Sequence, residues 1–284
     1  MGALVVIPAR LGSTRFPAKV LASETGRPLV QHVVDRLRGC RRVESVVVAT
    51  DAPAVADALR PFGTTCVLTS PSHPSGTDRV AEVARNRTES IVVNVQGDEP
   101  EIDPDVVDRL IDRLAQGDDQ MVTAATPLPA TADPADPNLV KVVRDRFGYA
   151  LYFSRSPIPY DRDGGGLRGH AAAGRSQGPT PPGEGSGSVR HWLHLGIYGY
   201  RREFLLTYAS WPPTPLELTE RLEQLRALEN GVRLYVVEVA EGRAAGGIDT
   251  AEQYRRFVER HRQAADTALR GQRPAETGLA VERT

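Results

Sequence analysis

Leu4-Val5-Val6-Ile7-Pro8-Ala9-Arg10-Leu11-Gly12-Ser13-Thr14-Arg15-Phe16-Pro17-Ala18-Lys19 opens the chain's fold and its chemistry together. The first four residues are aliphatic without alternation, the pattern of a strand buried on both faces. The rest is a polar loop leaving that strand's carboxyl end, where open α/β sheets bind ligands. Gly12 and Ser13 let the backbone approach a phosphate and offer it amide hydrogens. Arg10, Arg15 and Lys19 add three cations within ten residues, enough to match a polyanion such as a triphosphate. No Walker pattern is present, and a solvated basic loop is the plain alternative.

Working outward, Leu29, Val30, Val33, Val34 and Leu37 recur at helical spacing, Val46–Ala49 reads as a strand, and Pro53–Leu59 as a short helix with proline near its start. Cys66–Leu68 and Ile91–Val95 are further strands. Helices are expected near Asp78–Ala84 and over Val106–Leu114. This alternation predicts an α/β fold with a doubly wound, mostly parallel sheet. After Met121 the rhythm changes. Val140–Val143, Ala150–Phe153, Leu195–Tyr198 and Leu234–Val239 look like strands, one helix is expected from about Leu216 to Leu228, and a last one from Thr250. Gly164 to Ser188 holds nine glycines and a single large aliphatic, so it reads as a flexible insertion. Its Gly164-x-Gly166-x-x-Gly169 lacks the strand and helix that a dinucleotide fingerprint requires. The tail from Gln263 is polar and expected to be disordered.

Composition narrows the function classes. With 284 residues, 40% hydrophobic, and a formal net charge of −1, the chain carries no field to recruit nucleic acid or an anionic membrane. Cys40 and Cys66 fit neither a disulfide framework nor a zinc site and read as reduced thiols. No signal peptide and no apolar run of membrane-spanning length is evident, so a cytoplasmic protein without membrane insertion is expected.

Acidic candidates stand at two further points. Asn94-Val95-Gln96-Gly97-Asp98-Glu99-Pro100 ends the fourth strand in a carboxylate suited to Mg²⁺, while Asp103 before Pro104 is the better helix cap. In Gly246-Gly247-Ile248-Asp249-Thr250, Asp249 reads equally well as a cap for the last helix or a second metal ligand. Glu217, Glu220 and Gln224 share a helical face, where ordinary solvation is the alternative.

Together these residues resemble the sugar cytidylyltransferases. Tyr149–Arg155 with Ile158-Pro159, His194–Arg201, Pro215–Arg226 and Gly247–Thr250 narrow the resemblance to the 3-deoxy-manno-octulosonate (Kdo) cytidylyltransferases, to about residue 260. The resemblance implies a Rossmann-like nucleotide-diphospho-sugar transferase fold in one domain, 1–262, with a nucleotide half to about 125. A smaller mixed α+β half for sugar binding and dimerisation follows. It implies Mg²⁺-dependent joining of CTP and Kdo into CMP-Kdo and diphosphate for lipopolysaccharide assembly, by a homodimer. Carried over, Arg10, Gly12, Ser13, Arg15, Lys19, Ser75, Gly76 and Gln96 bind the nucleotide, with Lys19, Asp98 and Arg10 catalytic. Asp98 and Asp249 hold the metal, and Gln96, Arg155, His194, Tyr198, Glu217, Glu220 and Gln224 line the sugar pocket. Ala18 stands where this family usually has glycine, Val20 where it has proline, and Asp78 where glutamate is common. A cytidylyltransferase for another acidic sugar, such as a sialic acid, is the nearest rival. A silent nucleotide-binding protein on the same fold is the next, and the missing fingerprint disfavours NAD chemistry.

Overall fold

The computed structural model describes residues 2–13, 15–162, 191–240 and 246–271. The glycine-rich insertion expected over Gly164–Ser188 lies outside the described residues. The first strand, β1 (Ala3–Pro8), sets the layering. Its alternate side chains Val5 and Ile7 feed one apolar cluster, and Leu4 and Val6 feed another on the opposite face. All four are fully buried, each contributing on the order of 2 kcal/mol.

The element order is β1, α1 (Leu29–Leu37), β2 (Val43–Thr50), α2 (Pro53–Leu59), β3 (Cys66–Leu68), α3 (Gly76–Arg85), β4 (Ile91–Asn94), α4 (Pro104–Gln116) and β5 (Met121–Pro127). The second half supplies β6 (Lys141–Arg144), β7 (Ala150–Ser154), β8 (Trp192–Arg201), α5 (Arg202–Tyr208), α6 (Pro215–Glu220), α7 (Leu225–Glu229), β9 (Leu234–Glu238) and α8 (Ala251–Gly271). The strands form one sheet in the order β3-β2-β1-β4-β8-β5-β9. The β3-β2-β1-β4 run and the β5-β9 pair are parallel, and β8 lies antiparallel between β4 and β5. β6 joins the outer part of β8, and β7 pairs with β6. The α/β class expected from the alternation is the one observed, with the antiparallel β8 splicing the two halves into a single sheet.

Three details depart from the sequence reading. β5 was not anticipated, because Met121-Val122-Thr123-Ala124-Ala125-Thr126 is too rich in alanine and threonine to stand out, although all six residues are buried. The helix expected over Leu216–Leu228 is two helices. Arg221 adopts a left-handed conformation at φ 55° and ends α6. Arg155 explains the break: its Nε donates to the Glu220 carbonyl and its Nη2 to that of Arg221, oxygens a continuous helix would need. Finally, the tail expected from Gln263 is helical as far as Gly271.

α8 docks through Tyr254, Phe257 and Val258 onto Leu29 of α1 and Ile248. His32 of α1 lies under it, its ring 5.1 Å from Phe257 and 4.8 Å from His261. Burial first, then the field of His261, lowers the His32 pKa from 6.5 to about 4. A base depressed in the fold is bound by protons more readily once unfolded, so stability is full above pH 6.5 and lost as pH falls toward 4. The loss attributable to His32 is roughly 3 kcal/mol. Thermal melts between pH 7.5 and 4.5 should therefore show a steep decline that flattens in His32→Gln. An equal slope in both proteins would remove His32 from the account.

Candidate functional site

The loop that leaves β1 is folded on itself. Ser13 and Ala18 amides both donate to the Leu11 carbonyl, at 2.9 and 3.2 Å, and Phe16 packs on Tyr254 of α8 at 5.5 Å. The Ser13 amide expected to face a phosphate is thus engaged within the loop in this form. Ala18 sits at φ 52°, left-handed backbone that favours glycine. The turn delivers Lys19 into a cleft lined by Pro8, Arg10, Gly12, Ser13, Arg15, Gln96, Gly97, Asp98 and Asp249, with a volume of about 300 Å³. Gly97 permits this closure, since a β-carbon there would stand 3.1 Å from the Pro8 carbonyl oxygen.

The Lys19 ammonium bridges two carboxylates, 2.5 Å from Asp98 Oδ2 and 2.8 Å from Asp249 Oδ1. The other Asp249 oxygen takes Arg15 Nη2 at 3.0 Å. Lys19 is only 11% exposed, so burial pulls its pKa down, but the charges and hydrogen bonds of Asp98 and Asp249 outweigh this and hold it above the ordinary lysine range. A backbone bond from the Ile248 amide to the Asp98 carbonyl, 2.8 Å, joins the two acidic segments directly. At Asp249, which the sequence leaves open between helix cap and metal ligand, other groups fill the cap. Thr250 Oγ1 accepts from Gln253 N, and Gln253 Oε1 accepts from the Asp249 and Thr250 amides, so helix capping leaves the Asp249 carboxylate to the cations.

A smaller hollow of about 120 Å³ shares Pro8, Arg10 and Gln96 with this cleft and adds His73, Ser75, Gly76 and Arg79. Ser75 caps α3, and its Oγ lies 2.7 Å from Asp78 Oδ2 and 3.2 Å from Glu223 Oε1. Thr77 donates to the other Glu223 oxygen at 3.1 Å. The carboxyl of Glu223, buried first and then balanced by Arg226, has its pKa raised. A third hollow of about 460 Å³ opens on the other side of Arg15 and Asp249, lined among others by Glu99, Asn138, His194 and Gly247.

The residues expected around the sugar divide. Gln96 reaches the Gly196 carbonyl at 3.4 Å and lines the first two hollows. His194 lines the third, its Nε2 2.9 Å from Thr123 Oγ1, and burial pushes its pKa down to about 3, leaving a neutral ring. Tyr198 lies against it at 5.5 Å; burial, then Glu223 and Glu99, keeps its phenol protonated. Arg155 and Glu220 instead bind each other's segments: Glu220 accepts from Ser154 Oγ and the Arg155 amide, and Arg155 spends its guanidinium on the carbonyls of Pro137, Glu220 and Arg221. Glu217 turns inward onto Arg226, with bonds of 2.8 and 2.6 Å, and is 9% exposed. Gln224 is 3% exposed and its Nε2 has no hydrogen-bond partner among the described residues, as is true of Asn94 Oδ1 in β4.

Two acids of this region lie outside the set expected from the sequence. Glu99 is raised to about 8 by burial and then by Asp98, and Glu223 ties the α3 cap to α7. Glu99 carried a signal, its place directly after Asp98, whereas Glu223 became visible only with the fold. Among the described residues no group of three or more metal-ligating side chains gathers. Two carboxylates around one cation nevertheless fit Mg²⁺, which takes one or two carboxylates and completes its shell with phosphates and water.

Comparison with known proteins places this geometry. A family model described as cytidylyltransferase matches residues 4–234. The 3-deoxy-manno-octulosonate cytidylyltransferase of Geobacter sulfurreducens is 46% identical over 262 residues, covering 92% of this chain and 99% of that one. The protein of that name from Idiomarina loihiensis is 43% identical over 90% of this chain and 97% of its own. The solved CMP:2-keto-3-deoxy-manno-octonic acid synthetase complexed with CTP superposes with a TM-score of 0.81 at 36% identity, over 93% of this chain and all of that one. A 4-diphosphocytidyl-2C-methyl-D-erythritol synthase from Anaerococcus prevotii, at 13% identity and TM-score 0.55, shares the fold.

The buried Glu217–Arg226 pair yields an expected outcome of its own. Arg226→Met leaves a carboxylate buried without its partner, a loss of about 3–5 kcal/mol, and should lower Tm by about 10 °C. Glu217→Gln should likewise cost stability while leaving the acceptor KM within about twofold. A large KM increase at an unchanged Tm would return Glu217 to the sugar pocket.

Proposed function

The chain belongs to the 3-deoxy-manno-octulosonate cytidylyltransferase family, and from that premise we propose that it joins CTP to Kdo, releasing diphosphate and giving CMP-Kdo for lipopolysaccharide assembly. The observation that carries the reading is the convergence of Asp98 and Asp249 on the Lys19 ammonium, in a cleft that also holds Arg10 and Arg15. Three cations beside two carboxylates suit a triphosphate and its divalent counter-ion, and they suit hydride transfer poorly.

In this reading the anomeric hydroxyl of Kdo attacks the α-phosphorus and loses its proton to solvent. The new O–P bond forms as the bond to the β-phosphate bridge breaks, and diphosphate leaves with that electron pair. Arg10, Arg15 and Lys19 neutralise the departing charge, in a cleft where preorganised cations cost no reorganisation. Asp98 and Asp249 would hold Mg²⁺, which would supply polarisation of the α-phosphate and a lowered pKa for the acceptor hydroxyl. Ser75 and Gly76, in the smaller hollow, face the cytidine, with Gly12, Ser13 and Gln96 along the phosphates. For the sugar, neutral His194 with Tyr198 offers uncharged hydrogen-bonding groups, and the amide of Gln224, without a partner among the described residues, offers a donor. Arg155, Glu217 and Glu220 shape this region by fixing the turn between α6 and α7. We further read the enzyme as a cytoplasmic homodimer, since the reaction draws on the CTP pool and Phe147 and Leu151 leave exposed apolar surface beside the edge strand β7.

Diphosphate release should be measured from CTP with a panel of acidic sugars. Kdo should be the preferred acceptor, and CTP should far exceed ATP and GTP. Preference for a sialic acid, or comparable turnover with a purine triphosphate, would overturn the assignment. Asp98→Asn and Asp249→Asn should each fold normally and lose at least ~10²-fold in rate, the scale of one preorganised electrostatic contact. Near-normal activity in Asp249→Asn would reduce the metal ligands to Asp98 alone.

A further inference from the structure

We propose that Lys19 is a tethered stand-in for the divalent cation: its ammonium occupies the metal's place between Asp98 and Asp249 until the metal displaces it onto the triphosphate. This rests on the reading that the two aspartates hold the metal. Lys19 Nζ lies 2.5 Å from Asp98 Oδ2 and 2.8 Å from Asp249 Oδ1, so it uses one oxygen of each acid. A divalent ion bound between the acids stands about 2.0–2.1 Å from an oxygen of each, in the space the ammonium fills. Both cannot hold the position at once.

The surroundings make the exchange workable. Asp98 and Asp249 sit in a half-buried cleft, where two uncompensated carboxylates would repel each other and lose hydration. The tethered cation removes that penalty and holds the acids in register. Arg15 adds a bond to the outer oxygen of Asp249 and leaves the position between the acids to Lys19. The wall beyond Lys19 carries Arg10 and Ser13 and no further carboxylate among the described residues that line it. A displaced ammonium on a flexible four-carbon arm therefore swings toward the cations that meet the triphosphate. Metal entry loses an ion pair, and nucleotide entry offers the freed ammonium a new one. The two ligands then bind with positive coupling, and the metal alone binds weakly.

Mn²⁺ binding to the nucleotide-free protein, followed by electron paramagnetic resonance of free Mn²⁺, separates the cases. Lys19→Met should bind Mn²⁺ at least about tenfold more tightly than wild type, within the usual range of site coupling. Lys19→Arg, which keeps the charge, should stay near wild type, and Asp98→Asn should lose the site. Lys19→Met binding no tighter than wild type, with Asp98→Asn still abolishing uptake, overturns the stand-in role and leaves the metal reading intact. Mn²⁺ uptake indifferent to Asp98→Asn overturns both. Should Lys19→Met fail to fold, lysine ¹³Cε resonances of the wild-type protein decide the matter. The signal missing from Lys19→Arg must move when Mg²⁺ saturates the protein, and a stationary signal overturns the proposal.

Discussion

Two carboxylates, supplied by residues 98 and 249, face one another across a partly closed cleft, and like charges so placed must be compensated. Much of the architecture answers that constraint. The β1 and β4 strands run parallel and side by side, so their carboxyl ends bring the cationic loop and the Asp98 segment to one edge. The docked α8 then carries Asp249 to the same edge, and its Tyr254 packs on Phe16 of the loop. The charges, the loop that bears the cations and the last helix are therefore one cooperative unit. Loosening any of them exposes the others to uncompensated charge.

The first half of the chain was legible because its physics is local. Buried parallel strands read as aliphatic runs, helices show their period, and an acid at a strand's end is conspicuous. The second half hid more. β5 is built of alanine and threonine whose burial comes from neighbours on both sides, and nothing in its own composition announces that. The helical spacing of Glu217 and Glu220 is real, yet spacing is indifferent to a left-handed residue at Arg221 that ends their helix before Gln224 and turns the chain so that Arg226 meets Glu217, while Glu220 binds Ser154 of β7. Asp249 was undecidable in one dimension, since a cap and a ligand need the same short polar side chain. The position of Gln253, which satisfies the helix's amides, relieves the Asp249 side chain of the capping role.

Ala18 gives physical content to a departure from the family pattern. Its left-handed backbone is the conformation glycine adopts without cost, and a β-carbon there costs about 1 kcal/mol. The loop sustains it because the Ala18 amide is held by Leu11 and Phe16 is clasped by Tyr254. The side chain at position 18 makes the loop stiffer than a glycine would, and so fixes the backbone just ahead of Lys19.

The hydrogen bond from Ile248 to Asp98 also orders events in time. A chain emerging from the ribosome presents the cationic loop and Asp98 early, with the sheet strands around them. The second acid arrives only when the segment after β9 has been made and α8 has closed over Leu29 and Phe16. Before that moment Asp98 is the one acid of the pair available to Lys19. The pairing of the two acids is thus completed only near the end of synthesis, by the segment that begins at residue 248.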